Sequence, residues 1–335
     1  MTDRSTILEK LEEAQAARDA RRRFIRMCGG AAAMAGGLSL LSACGDDDDG
    51  DTGAAPTPTP SATPTPTGAV TDVDVLNFAL QLEYLEGNYY SRGAFGTGLS
   101  ANLTTGVGTQ GAVTGGRQVT FTDPVVAEFM REIAVDEVAH ITFLRQALGS
   151  SATAQPAINI AGDATGAFTL AARAAGVIGA TETFDPYAND ENFTLGAFLL
   201  TDVGVSAYRG SARLITNKTF LEAAAGILAT ECYHDAAIRT TLYSKGLTRA
   251  DLRTNTVRIS DARDALDGAA NNDEGVVDAS GNANLVPADA NGLVFGRTAP
   301  QVLNVVYQNR LSVNSGGFFP AGVNGAIRAS ASSAG

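Results

Sequence analysis

Apolar positions recur with a helical period in four long stretches of the chain. Between Val70 and about Arg92, Val73, Leu76, Phe78, Leu80, Leu82 and Leu85 alternate with polar residues, which predicts a first long helix. Residues 93–120 are rich in Gly and Thr and carry little periodicity, so they read as a long loop or ribbon. Thr122 or Asp123 is placed to cap a second helix, Pro124 fits its first turn, and the pattern runs to about Leu148 before Gly149. A third helix is expected over roughly Phe193 to Ile215 and a fourth over roughly Thr219 to Ser244.

The spacing of these helices carries topological information. Antiparallel neighbours need only a few linking residues, whereas a connection of about forty can run the length of a bundle and return at its other end. Residues 149–192 form such a connection, with an Ala-rich piece, Ala167 to Ile178, as a short helix. The expected architecture is all-α: two helical hairpins joined by a long crossover into a four-helix bundle over residues 70–245. After Gly246 the chain turns polar, and Asn271 to Asn291 is rich in Asn, Asp, Gly and Ala. A last apolar segment, Ala299 to Leu311, predicts a fifth helix within a 246–335 extension packed on the bundle. Its Gln301–Tyr307 stretch has no ligand-type cluster, so it is assigned to packing.

The first 69 residues do not belong to this fold. Arg21-Arg22-Arg23-Phe24-Ile25-Arg26 precedes an uncharged apolar run, Met27 to Leu41, too short for the roughly 20 residues that a spanning helix needs. Its end, Leu41-Ser42-Ala43-Cys44-Gly45, resembles a bacterial lipobox, and the arginines before Phe24 resemble a twin-arginine export signal. Residues 1–43 are thus expected to be a twin-arginine-type lipoprotein signal peptide, with Cys44 as the lipidated anchor. Asp46 to Asp49 and the Thr/Pro repeats up to Gly68 form a solvated spacer within a 44–69 linker. Such a protein sits at the periplasmic or extracellular face of the envelope, held to a membrane by its acyl chains.

Composition narrows the partners. With 44% hydrophobic and 18% charged residues the chain can bury a core. The net charge is −12; without residues 1–43, which hold seven Lys/Arg and five Asp/Glu, 17 basic and 31 acidic residues remain, or −14. That surface repels nucleic acid. The three cysteines, Cys28, Cys44 and Cys232, give no disulfide framework, and Cys232 reads as a small buried hydrophobe.

The whole chain has two histidines, and each stands three residues after a glutamate on an expected helix: Glu137/His140 and Glu231/His234. Positions three apart lie about 60° apart around a helix, so each pair projects from one face. Di-iron and di-manganese bundles use one Glu from each of two helices and a Glu-x-x-His from each of the other two. The first helix offers Glu83 and Glu86. Buried carboxylates without a cation would have to be protonated or salt-bridged, and few Lys or Arg lie on these faces. Imidazole and carboxylate donors together suit iron or manganese, and admit zinc.

The stretches Leu-Glu-Tyr-Leu-Glu (82–86), Asp-Glu-Val-Ala-His (136–140), Asp-Val-Gly-Val-Ser-Ala-Tyr (202–208) and Glu-Cys-Tyr-His (231–234) resemble the ferritin-like domain family that includes plant desiccation-related proteins. The resemblance covers about 70–245 and extends to Phe318-Phe319-Pro320-Ala321-Gly322. It implies a tyrosine seven residues after the first-helix ligand, which Glu83 and Tyr90 satisfy, so Glu83 is preferred to Glu86. The same count back from Tyr208 falls on Thr201, where the family would offer Glu. Asp202 is adjacent, but about 100° around the helix and shorter, so it substitutes only if the helix is rotated or bulged.

The resemblance further implies one ion held by Glu83 and His140 and a second by His234 and the third-helix carboxylate, with Glu137 and Glu231 bridging. With Thr201 in that place, the second ion loses a ligand, and the site reduces at the limit to Glu83, Glu137, His140 and Glu231. Asp136 corresponds to the family aspartate that orients the histidine across the bundle, His234; Thr230 stands at the equivalent place for His140. Tyr90 and Tyr208 are placed to bond to ligands or simply to pack. Two functions follow: a redox enzyme acting on dioxygen or peroxide, relevant to oxidative or desiccation stress, or a non-catalytic surface stress or scaffold protein with a degenerate site. A storage cage is disfavoured by the anchor, spacer and insertions.

Overall fold

The computed structural model describes residues 69–333; the signal segment, Cys28, Cys44 and the linker up to Gly68 lie outside the described residues. α1 (Asp72–Phe95) begins with a capping box in which Thr71 and Asp74 each satisfy the other's backbone N–H, and stops at Gly96, whose φ of 75° is left-handed. A single turn, α2 (Ala101–Thr104), follows. α3 (Pro124–Leu148) starts where the Asp123 carboxylate accepts from the N–H groups of Val125 and Val126, with Pro124 in the first turn. α4 (Ala167–Ala174) is the short Ala-rich helix. α5 (Asp190–Ala212) and α6 (Lys218–Lys245) are capped by Asn189 and Asn217. Two further helices, α7 (Ala250–Asp267) and α8 (Ala299–Val306), come after the bundle.

Contacts between helix ends fix the threading. At one end Asn77, near the start of α1, bonds to Ser151 and Thr153 just past α3. Asp72 there accepts from Thr216 and Asn217, between α5 and α6. At the other end Asp190 accepts from Thr122 and Asp123 ahead of α3, and Lys245 closing α6 pairs with Glu191 and Asp123. The helices therefore run up, down, down, up, and residues 149–189 must cross the full length of the bundle between α3 and α5. α1 packs chiefly on α3, and α5 on α6.

The crossover is not structureless. β1 (Val113–Thr114), from the long loop before α3, pairs in parallel with β2 (Ile158–Asn159), in register Val113 to Ile158. The returning chain delivers Phe168 and Tyr187 to an aromatic cluster in which Tyr89 of α1 stacks on Phe193 of α5, ring centroids 4.5 Å apart. The Tyr89 hydroxyl donates to the Phe193 carbonyl at 2.7 Å, which ties the polar tip of a fully buried ring.

The extension differs from the expectation in one substantial way: α7 is an 18-residue helix in a region that reads as merely polar. Its buried positions, Leu252, Thr256, Ile259, Ser260, Arg263 and Asp267, keep the helical period but are mostly polar. What they bury is an ion-pair network. Arg263 donates to Asp202 of α5 at 2.7 Å and to Asp273 at 2.7 Å; Arg239 of α6 meets Asp202 at 3.1 Å; Arg297 bonds to Asp267 and Asp273. All three arginines are buried. α8 ends at Val306, short of the expected Leu311, because Gln308 adopts a left-handed φ of 54°. Phe318 and Phe319 are fully buried, Phe318 against Phe168. Among the described residues no helix is long and apolar enough to cross a membrane.

Candidate metal centre

Three of the four long helices meet in one polar spot inside the bundle. Glu83 from α1, Glu137 and His140 from α3, and Glu231 from α6 each bring a ligand atom to within 4.8 Å of all the others, and all four residues are buried. His140 Nδ1 lies 3.4 Å from Glu83 Oε2, 3.4 Å from Glu231 Oε1 and 3.7 Å from Glu137 Oε2. His234, one turn beyond Glu231 on α6, presents Nδ1 at 3.2 Å from Glu137 Oε1 and 3.9 Å from Glu231 Oε1. The two imidazole rings stand 6.1 Å apart with Glu137 and Glu231 between them. The three-residue spacing in each Glu-x-x-His puts both side chains on the inward face, as the sequence predicts.

These donors are close without being hydrogen-bonded. Glu83 Oε2, both oxygens of Glu137, both oxygens of Glu231 and the Nδ1 atoms of His140 and His234 have no hydrogen-bond partner. Those seven atoms are half of the buried, unpartnered side-chain polar atoms among the described residues. The atoms face one another as ion pairs instead of hydrogen bonds, and half of all such atoms among the described residues gather in this one place. Atoms that share an ion at about 2.1 Å sit roughly 3.0–3.4 Å from one another, in octahedral or tetrahedral arrangement. The separations of 3.2 and 3.4 Å fit that spacing, those of 3.7 and 3.9 Å lie a few tenths of an ångström beyond it, and most are long for hydrogen bonds. The residues present fit a metal ion.

Without an ion the charges adjust to one another. Burial, then the carboxylates of Glu231 and Glu83, raise the Glu137 carboxyl from 4.5 to about 7. Burial works against a charged His140, but Glu83, Glu137 and Glu231 around it overcome this and hold the imidazolium far above its ordinary range. His234 follows the same balance, with Asp136 and Glu137 lifting it to about 10 against burial. For Glu83 burial favours the acid, yet His140 wins and keeps the carboxylate below its usual value. An ion replaces these protons with its own charge.

The surrounding residues divide. Asp136 Oδ2 lies 3.4 Å from His234 Nε2, behind the ring. Tyr208 of α5 donates to Glu83 Oε1. Tyr90 reaches no ligand atom of the cluster directly: its hydroxyl is 2.6 Å from Thr201 Oγ1, and Thr201 donates to Glu86 Oε2 at 3.1 Å. Glu86, passed over by the tyrosine spacing, is buried beside the cluster, and burial with Glu231, Glu137 and Glu83 pushes its carboxyl well up. Asp202 does not replace the missing third-helix glutamate, because Arg239 and Arg263 hold it, about 100° around α5 from Thr201, and those arginines keep it ionised despite burial. Thr230 makes no bond to His140; its hydroxyl turns back to the Gly226 carbonyl at 3.2 Å. Cys232 is a half-buried free thiol, raised to about 11 by burial and by Asp235 and Glu231.

Comparison with known proteins agrees with this architecture. The chain is 28% identical to the ferritin-like catalase Nec2 of Nesocodon mauritianus over 268 residues, which is 76% of this chain and 84% of that protein. It is 28% identical to the desiccation-related protein PCC13-62 of Craterostigma plantagineum over 269 residues, 76% of this chain and 83% of the relative. No solved structure matches. The ferritin-like domain profile matches residues 71–244, which run from the cap of α1 to the last turn of α6 and make up more than half of the chain, so the protein belongs to the ferritin-like domain family.

Proposed function

We propose that the bundle binds iron or manganese at Glu83, Glu137, His140, Glu231 and His234 and uses it to consume hydrogen peroxide, or dioxygen with ferrous iron, at the cell envelope. The observation that carries this reading is the buried group of Glu83, Glu137, His140 and Glu231, whose ligand atoms gather within 4.8 Å without hydrogen bonds, with His234 Nδ1 beside it at 3.2 Å from Glu137. Carboxylates and imidazoles without a thiolate favour iron or manganese, with zinc as a redox-inert competitor. The name of the catalase relative supports peroxide as the substrate. A redox-active metal held by these residues would relay two electrons from one peroxide, which is oxidised to dioxygen and gives up two protons, to a second, which takes up both and is reduced to two waters.

The chain's own residues shape that chemistry. Glu137 and Glu231 stand between the two histidines, where each can face both halves of the site. Tyr208 holds Glu83 by one oxygen and leaves Oε2 turned toward His140. Asp136 lies behind the His234 ring, 3.4 Å from its far nitrogen, and Nδ1 faces Glu137 and Glu231. Burial of the whole set keeps bulk water from the donors. Export through a twin-arginine-type signal and lipidation at Cys44 would place this chemistry outside the cytoplasm, with the metal loaded before export.

A non-catalytic role in surface protection is the second reading, favoured by Thr201 where a glutamate is expected and by the likeness to a desiccation-related protein. One experiment separates them. Elemental analysis of the purified protein is followed by assays of peroxide consumption and iron(II) oxidation, with Glu137→Ala and His234→Ala as controls. Metal-dependent turnover lost in both variants supports the enzyme; bound metal with no turnover leaves only the protective role. A protein that takes up no metal refutes the enzyme reading and leaves the bundle as a scaffold with a degenerate site.

A further inference from the structure

We propose that Glu86 is a metal ligand, supplying from the first helix the carboxylate that the third helix lacks. This inference rests on the metal-binding reading above and adds a residue to it. Glu86 stands one turn beyond Glu83 on α1, and the two side chains are 6% and 3% exposed. Residues at this spacing share a helix face, so both carboxylates enter the bundle on the side that meets α3, α5 and α6.

The third helix is shaped to receive it. Gly204 of α5 has no side chain at the point where a Cβ would stand 2.7 Å from Glu86 Oε1 and 3.4 Å from Glu231 Oε2. Two carboxylates from different helices thus flank a space that any larger residue would fill. One turn earlier, Thr201 donates to Glu86 Oε2 at 3.1 Å and is itself held by the Tyr90 hydroxyl at 2.6 Å. The residue that replaces the glutamate therefore orients another one by its Oε2, while Glu86 Oε1 borders the same Gly204 gap as Glu231 Oε2. No Lys or Arg pairs with Glu86 among the described residues. The buried arginines Arg239 and Arg263 are committed to Asp202.

Charge and donor count agree. With Glu86 the centre has four carboxylates and two histidines, the donor set of a two-ion carboxylate bundle, but with both single glutamates on one helix instead of two. Four ionised carboxylates carry a charge that two divalent ions neutralise. Without Glu86 the His234 half of the site has only the bridging Glu137 and Glu231 for company.

The test is a manganese(II) titration of the chelator-treated full chain, following free ion by its electron paramagnetic resonance and bound ion by elemental analysis. Wild type is expected to take up two ions. Glu86→Gln, nearly isosteric and able to keep the Thr201 bond, should hold one ion, with the second weakened at least tenfold. Gly204→Ala should act in the same direction by displacing Glu86 Oε1, and covers the case of a poorly folding glutamine variant. Thr201→Glu added to Glu86→Gln should restore the second ion. Two ions bound with unchanged affinity in both Glu86→Gln and Gly204→Ala overturn the proposal while the metal centre stands. A single ion in wild type also overturns it; no ion at all would instead sink the metal-binding reading itself.

Discussion

Chelating the metal should make the stability of this protein fall as pH rises, which is the reverse of what a fold rich in ordinary ion-paired carboxylates does. The reason is the buried cluster. Glu137 is raised from 4.5 to about 7 in the metal-free fold, so between these values the folded chain binds a proton that the unfolded chain has released. Folding is then linked to proton uptake, and stability declines as pH climbs through the interval. Each unit of displacement corresponds to about 1.4 kcal/mol, so Glu137 alone accounts for about 3 kcal/mol between pH 5 and 8. His234 acts in the same sense: raised from 6.5 to about 10, it stabilises fully below 6.5 and loses that contribution as pH rises toward 10. The two are not summed, because one 3.2 Å contact between them underlies both.

For a domain of this size about 3 kcal/mol corresponds to a fall in Tm of roughly 6–12 °C. The assay is thermal unfolding by circular dichroism at pH 5, 6, 7 and 8, with and without chelator, for wild type and Glu137→Gln. The chelated wild type should lose Tm across the series and the glutamine variant should lose markedly less. Metal-loaded protein should diverge upward from the chelated form, since the same protons compete with the ion and leave as pH increases. A chelated wild type whose Tm is level or rises from pH 5 to 8 would refute the reasoning, as would a Glu137→Gln variant with the full wild-type slope.

Other consequences test single contacts. Asp202→Asn leaves Arg239 in the interior with backbone carbonyls only and Arg263 with Asp273 as its remaining ion pair, and should cost about 3 kcal/mol by denaturant unfolding, yet leave the metal content of the folded fraction unchanged; loss of metal would show that Asp202 serves the centre after all. Tyr208→Phe removes the bond to Glu83 and should weaken metal binding about 10-fold or more, measured by competition with a chelating dye, with the fold retained. Asp136→Asn should weaken the ion at the His234 half by about 10–100-fold and spare the other, so that titration separates two affinities more widely than in wild type. Thr230→Val should change neither metal affinity nor turnover, because its hydroxyl serves its own helix.

Much of the fold was legible because the helices that form the bundle are the ones that bury apolar stripes. The cap at Asp123, one of two candidates, and the long crossover between α3 and α5 follow from local residue chemistry and from chain length. The two Glu-x-x-His pairs stood out because the chain spends both of its histidines on them. α7 escaped for the opposite reason: most of what it buries is Arg, Asp, Thr and Ser, and a hydrophobic pattern cannot register a helix whose inner face is ionic. The partner that neutralises Asp202, Arg263, lies 61 positions away on that helix, so the commitment of Asp202 could not be read from its own neighbourhood. Thr230 illustrates a further limit. Adjacency to a ligand in sequence sets a side chain about 100° away from it, and only a partner on another helix decides whether that direction is useful.

α5 shows how one substitution redistributes roles across a bundle. In a symmetric centre its inward residue at position 201 would be a ligand. Here Thr201 faces Glu86 as a hydrogen-bond donor, while Asp202, one step around the same helix, is buried against Arg239 and Arg263 and anchors α7 through Arg263. Two turns of α5 therefore serve two structures: Thr201, Gly204 and Tyr208 line the metal side with a hydroxyl, a space and a phenol, and Asp202 and Ser206 hold the extension through Arg239, Arg263 and Arg297. Neither side can be altered freely. Rotating α5 to bring Asp202 to the metal would break its two arginine contacts and turn Thr201 away from Glu86. A carboxylate regained on the metal side is therefore more easily placed at position 201 itself than borrowed from 202, and the extension acts as a lock on the orientation that makes Glu86 the remaining donor.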